Sequence, residues 1–412
     1  MYEFIENRNR KSINNFIFLL LVFTFGVNPL AYSYGGNDSI PRKLFLSVNV
    51  QQGSLLKTHS VYIANNYYIG LDIRLGIQTD ESHKNIFDSS YRYPKYGLGY
   101  SIGNMNDIIL GDESNEGFGK PMVLYAFFSS PAYRGNWFLM NYDFGAGIAY
   151  RFKNYDPEIR PNNVLIGTKG NGYISVGVDG QWELPYHSTL GIGVTFKHFS
   201  NGSFQKPNNG INLLMGTLTY QWGAYNNREK GYSRIPVELI QPTFEWYVYW
   251  GNAVRMLDTD FDKDKPKDSK RWYSTTISTA ALIQTSFRRK FGLGLDFFYF
   301  DWGHYVINYR NRTNNLESVK TKITDNMAAG IYLTHEAGYR KLWAITDVGF
   351  YLNDRVGDVP ISPWIYERVG IRYRPTDRYF VGLNLKAHLV KADYLELVVG
   401  YSLVKNKGVS LK

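Results

Sequence analysis

Across this 412-residue chain, from Leu44 to Leu403, apolar residues recur at every second position, segment after segment. Leu190, Ile192, Val194 and Phe196 alternate with Thr189, Gly191, Gly193, Thr195 and Lys197. Tyr379, Val381, Leu383, Leu385, Ala387 and Leu389 alternate with Phe380, Gly382, Asn384, Lys386 and His388. Period two is the signature of strands with one apolar face. No internal apolar run reaches the roughly 20 residues that a spanning helix needs. A lysine and a histidine on the polar face, with Asp179 on another such face, are costly in a dry soluble core. They are unremarkable in a barrel whose apolar side meets lipid and whose polar side meets a wet lumen. Tyr (34), Phe (25) and Gly (39) are abundant, as interfacial girdles and tight strand packing require. An array of soluble sandwiches needs shorter strands than these. The expectation is an all-β fold: a single transmembrane antiparallel β-barrel of about 14–16 strands, formed by residues 34–412.

Connections alternate in length as barrels with short periplasmic turns and long outer loops require. Those at 183–187, 288–290, 338–341 and 374–377 are short, whereas 155–170, 258–270 and 303–324 are long. Segments 79–92 and 223–235 break the rule, yet no linker is visible after Trp222, so the second half reads as further strands of the same barrel. On this phase the Asn201–Gly210 loop is an outer one.

The first 33 residues read as a signal peptide: Arg8, Arg10 and Lys11, then the apolar stretch Phe16–Val27, then Ala31 and Ser33 before a cleavage site. Export with no cysteine suits a closed strand network that satisfies its own backbone. The destination is the outer membrane of a Gram-negative bacterium. A net charge of +10 suits solvated loops and lumen, or an anionic lipid surface, and no nucleic-acid signature accompanies it.

The chemistry concentrates in His198-Phe199-Ser200-Asn201-Gly202. His198 and Ser200 leave the apolar face together, two residues apart, roughly 6.6 Å along the strand. A hairpin through the turn-rich 201–210 segment returns Asn212 to the neighbourhood of His198. Serine as nucleophile, histidine as base and an amide to orient the base make a hydrolytic triad. Asn201 and Gly202, on the turn after the nucleophile, are candidate oxyanion donors through an amide side chain and a backbone N–H. Without those roles the same residues are an interfacial histidine followed by ordinary turn formers.

His-Phe-Ser-Asn-Gly followed by Pro207-Asn208-Asn209-Gly210-Ile211-Asn212 resembles the signature of lipid A 3-O-deacylases, the PagL-like acyloxyacyl hydrolases. The segment Tyr93–Tyr100 and the run Asn136–Tyr150 add to that resemblance, which spans residues 43–222. It implies an outer-membrane barrel that cleaves an ester-linked acyl chain of lipid A or lipopolysaccharide. It also implies His198 as base and Ser200 as nucleophile. Better-known members carry glutamate where this chain has Asn212. The same residues resemble outer-membrane phospholipase A, whose core is His-x-Ser-Asn-Gly with an asparagine at this spacing. That resemblance implies a phospholipid substrate, calcium and a homodimer, whereas the deacylase resemblance implies no cofactor. Residues 223–412 resemble no family and read as additional strands.

Asp258-Thr259-Asp260-Phe261-Asp262 is not a calcium loop of the EF-hand kind, because Lys263 and Ser269 stand where its glycine and glutamate belong. The seven histidines lack zinc spacing, and no glycine loop precedes a helix to cradle phosphate. No metal site is expected. Three functions remain: a lipid A deacylase, a phospholipase of the same mechanism, and a non-catalytic porin-like barrel.

Overall fold

The computed structural model describes residues 44–56, 62–79, 86–111, 117–135, 137–223, 243–257, 270–305, 307, 322–353, 355–357, 359–361, 363–389 and 391–405. The first 33 residues, expected to be a signal peptide, and the Asp258–Asp262 run lie outside the described residues.

Where the alternation predicts about 14–16 strands in one barrel, the described residues hold sixteen long strands, all antiparallel, that close into two barrels of eight. The first contains β1 (Leu44–Leu55), β3 (Tyr68–Gln78), β4 (Lys95–Asn104), β6 (Gly119–Arg134), β7 (Phe138–Phe152), β8 (Asn171–Leu184), β9 (Ser188–Ser200) and β10 (Ile211–Trp222). Its seam is β1 on β10, with Leu46 opposite Trp222 and Leu55 opposite Leu213. The second contains β11 (Thr243–Arg255), β12 (Trp272–Ser286), β13 (Arg289–Phe300), β14 (Met327–Tyr339), β15 (Leu342–Tyr351), β18 (Ile365–Tyr373), β19 (Tyr379–His388) and β20 (Lys391–Lys405), closed by β11 on β20. Short pairs, β2 (Ile63–Asn66) with β5 (Ile108–Leu110) and β16 (Arg355–Val356) with β17 (Val359–Pro360), lie in the loops. In a single barrel β10 would bond β11 and β1 would bond β20. Alternation fixes which face of a strand is dry and carries no information on how many strands close. The chain between Trp222 and Thr243, whose length broke the loop rule, is the connection between barrels.

Each barrel turns its apolar residues outward; Ile192, Val194 and Leu397 are more than half exposed. The inward faces are filled with charged, polar and aromatic side chains, since eight strands enclose a space just wide enough for side chains. In the first barrel Arg74 reaches Asp143 at 2.9 Å and Asp72 at 3.2 Å, and Lys197 donates to Gln51 at 2.6 Å. In the second, Arg368 is fully buried between Asp296 (2.7 Å), Asp347 (2.9 Å) and Glu396 (3.3 Å). Arg372 pairs with Glu336, and Lys290 and Arg374 share Glu245. The wet lumen expected from Lys386 is corrected here: Lys386 is buried and paired with Asp393 at 3.1 Å, inside a cross-linked plug.

The barrels touch at both rims. At the rim of short turns, the helix Ile86–Ser90 within the long 79–94 connection supplies Asp88, which accepts from Arg340 at 3.0 and 3.2 Å and from Tyr339 at 2.5 Å. Arg288 donates to the Ser90 carbonyl at 2.6 Å. The second exception to the loop rule is therefore a strut between barrels.

Removing one partner from a buried ion cluster strands the others. Arg368→Ala leaves three buried carboxylates uncompensated and is expected to cost about 3–5 kcal/mol. The midpoint of urea unfolding in lipid vesicles reads this; an unchanged midpoint would show the cluster to be energetically neutral.

Candidate active site

The β9–β10 hairpin positions the site through register. His198 lies directly opposite Asn212, and Phe199 opposite Ile211. Parity aims Phe199 and Ile211 into the barrel top, where both are buried with Tyr173, Leu165 and Ile166. It therefore aims His198, Ser200 and Asn212 outward, on the wall that carries Ile192 and Val194, near the rim of long loops. Lys197, the residue before His198, points to the lumen.

His198 Nδ1 and Asn212 Oδ1 are 2.6 Å apart. A carbonyl oxygen can only accept, so Nδ1 carries the proton and Nε2 presents a lone pair. The ring lies on Gly210, which has φ +79°; a Cβ there would stand 2.8 Å from His198 Cε1.

Ser200 Oγ accepts two hydrogen bonds, from the Gly202 backbone N–H at 3.1 Å and from Asn208 Nδ2 at 2.9 Å. Among the described residues His198 makes no hydrogen bond to Ser200. In unliganded hydrolases such a bond is often long and tightens only on reaction. Gly202, with φ +62°, faces its N–H back to Ser200. The Asn201 amide does not: its Nδ2 donates to Gln205 O at 2.8 Å and to Thr168 Oγ1 at 3.2 Å. The amide beside the serine belongs to Asn208, whose Oδ1 also accepts from the Asn201 N–H at 3.1 Å. In the sequence Asn208 stands out only as part of the Pro207–Asn212 motif. Two asparagines in one turn are indistinguishable until the backbone is known.

The outer 153–170 loop braces this segment from behind: Asn209 and Gly210 donate to the carbonyls of Val164 and Leu165 at 3.3 and 3.0 Å. Among the described residues no three acidic or histidine side chains converge as metal ligands would.

A serine hydroxyl, a histidine with a fixed tautomer and two converging N–H donors suit acyl transfer at a lipid-facing wall. Family comparison bears on the same residues. A family model described as lipid A 3-O-deacylase (PagL) matches residues 72–221, and one described as acyloxyacyl hydrolase, C-terminal domain, matches residues 244–406. Between them they cover well over half of the chain. The chain belongs to the lipid A 3-O-deacylase family. It is accordingly a carboxylic ester hydrolase of the Gram-negative outer membrane, and the half that resembled nothing in the sequence reading is a domain of the same family. The crystal structure of the outer membrane enzyme PagL is 17% identical, covering 43% of this chain and 98% of that one with a TM-score of 0.26. An outer membrane channel from Pseudomonas putida F1 is 9% identical, covering 90% and 99%, with a TM-score of 0.19. Acinetobacter baumannii OccAB3 is 10% identical, covering 88% and 99%, with a TM-score of 0.24. At these scores the three likenesses add nothing to the argument. No curated protein matches the chain.

Gly210→Ala should push the imidazole off Asn212 while leaving the barrel intact. A misplacement near 1 Å costs about 100-fold in rate. Steady-state ester hydrolysis checks this, and a variant within twofold of wild type would show that the ring has room to move.

Proposed function

We propose that the protein removes an ester-linked acyl chain from lipid A by a Ser200–His198–Asn212 mechanism. The observation that carries this reading is the 2.6 Å contact of His198 Nδ1 with Asn212 Oδ1, on the lipid-facing wall beside Ser200. With Nδ1 holding its proton, Nε2 is free to take the proton of Ser200 as Oγ adds to the ester carbonyl carbon. The carbonyl oxygen becomes an oxyanion one carbon away from Oγ. The Gly202 N–H and Asn208 Nδ2, which donate to Oγ at 3.1 and 2.9 Å, are the donors that would shift to it. Nε2 then returns the proton to the departing sugar oxygen, leaving an acyl-serine that water hydrolyses by the same relay. An outward site near the outer rim suits an ester at the glycolipid's interface, whose acyl chains run down the apolar wall.

Asn212 orients the base as the amide does in Cys-His-Asn proteases. It cannot neutralise the imidazolium as a carboxylate would. The porin-like reading loses ground to the filled lumens, since ion-paired side chains occupy the space where a channel would run.

Mass spectrometry of lipid A from cells producing the wild type should show a species lighter by one acyl chain, absent with Ser200→Ala. Unchanged lipid A in both would sink the substrate assignment; lysophospholipid in its place would favour the phospholipase.

Asn212→Ala is expected to lower kcat about 10- to 100-fold, less than the 10²–10⁴ that a positioned base contributes. Asn212→Asp should keep or raise activity at neutral pH and lose it toward acid pH as the new carboxylate protonates. Equal pH profiles for wild type, Asn212→Ala and Asn212→Asp would remove Asn212 from the mechanism.

A further inference from the structure

The turn that follows the nucleophile rests on the other barrel. An added Cβ on Gly202 would stand 2.8 Å from Leu395 Cβ, on β20. Ser203 Oγ donates to the Ala392 carbonyl at 2.8 Å, and the Met256 N–H donates to the Ser203 carbonyl at 2.9 Å. The Lys206 N–H points at the sulfur of Met256, 3.5 Å away, and Met256 is fully buried. Arg271 donates to the Phe204 carbonyl at 3.3 Å and to Gln205 Oε1 at 3.2 Å, with its guanidinium 4.7 Å over the Phe204 ring. The end of β11, the approach to β12 and the start of β20 thus converge on one short segment.

The backbone of that segment shows what the contact achieves. Gly202 and Ser203 both have φ +62°. Glycine takes this conformation freely, but serine does so only where its surroundings demand it. Both hydrogen-bond partners of Ser203 belong to the second barrel. The two left-handed residues reverse the chain so that the Gly202 N–H faces Ser200 and Asn208 comes back over the same oxygen.

We propose that the outer rim of the second barrel is a positioning structure for the reaction: Met256, Arg271, Ala392 and Leu395 hold the 202–206 turn in the shape that aims two N–H donors at the nucleophile. This rests on the ester-hydrolase mechanism above and adds a role for the second barrel. None of the four residues is a catalytic residue; they act through Gly202, Ser203 and Asn208. If the turn relaxes, donors and nucleophile lose alignment, whereas the affinity for an ester changes little.

The test uses the full chain in detergent micelles with a short p-nitrophenyl ester, which is too small to reach across the rim. Met256→Ala combined with Arg271→Ala is compared with wild type and with Arg271→Lys, which keeps the charge but loses the fork. Gel mobility before and after boiling reports whether the barrels are folded. The double variant should lose at least tenfold in kcat with KM within twofold, and its 202–206 amides should exchange hydrogen at least tenfold faster. Arg271→Lys should fall between it and wild type. Unchanged exchange at 202–206 overturns the proposal, as does faster exchange with an unchanged kcat. A rise in KM alone also overturns it and makes the rim a substrate-binding surface. If the wild type cleaves no ester, the mechanism above fails and the exchange measurement still decides whether the second barrel holds the turn. Unfolding of the double variant moves the same comparison to the single variants.

Discussion

Every backbone polar group in a lipid-embedded sheet must be met by another strand, because hydrocarbon offers no partner. The first strand of this chain meets that demand by pairing with the tenth, Val50 opposite Leu218, and the circle shuts at eight long strands. The rest of the architecture depends on that pairing. A barrel of eight has no room for a channel, so its inward residues become a packed core of ion pairs and aromatic rings. With both lumens filled, chemistry on a membrane lipid is left with the outer wall and the rims. That wall is where parity puts His198, Ser200 and Asn212.

Closure also leaves eight strands over, which satisfy the same demand by closing on themselves. Two barrels embedded side by side gain no hydrophobic drive for association, since lipid tails are as apolar as their walls. They are held instead where water and polar groups exist. The Asp88–Arg340–Tyr339 cluster lies at one rim, and the contacts of Ser203, Met256 and Arg271 lie at the other. The second set falls on the residues just after Ser200, so association and the geometry of the proposed site meet in one short turn.

Strand positions were legible because lipid on one side and polar neighbours on the other impose alternation on every strand. The Tyr379 strand and the His198 strand could be read to within a residue or two. Closure was not legible: β1 pairs with a strand some 170 positions away, and eight- and sixteen-stranded barrels impose identical alternation. The one trace was the long connection after Trp222 on the side of short turns. At the site, pairing of His198 with Asn212 followed from the hairpin. The exchange of Asn208 for Asn201 did not, because it turns on a left-handed Ser203 that only tertiary contacts stabilise.

The neutral orienting residue fits its surroundings. A carboxylate at position 212 would sit on an outward wall at the edge of hydrocarbon, where a charge is expensive before the histidine is protonated. Asparagine accepts the same Nδ1 hydrogen bond, fixes the same tautomer and carries no charge to desolvate. What it gives up is attraction for the imidazolium in the transition state. In the proposed mechanism the two N–H donors that converge on Ser200 Oγ would serve the other half of the charge pair, the oxyanion, in a low dielectric where a fixed dipole is most effective. On the proposed mechanism, a site with a weaker partner for its base depends more heavily on the exact placement of its oxyanion donors, which is the property proposed above for the turn against the second barrel.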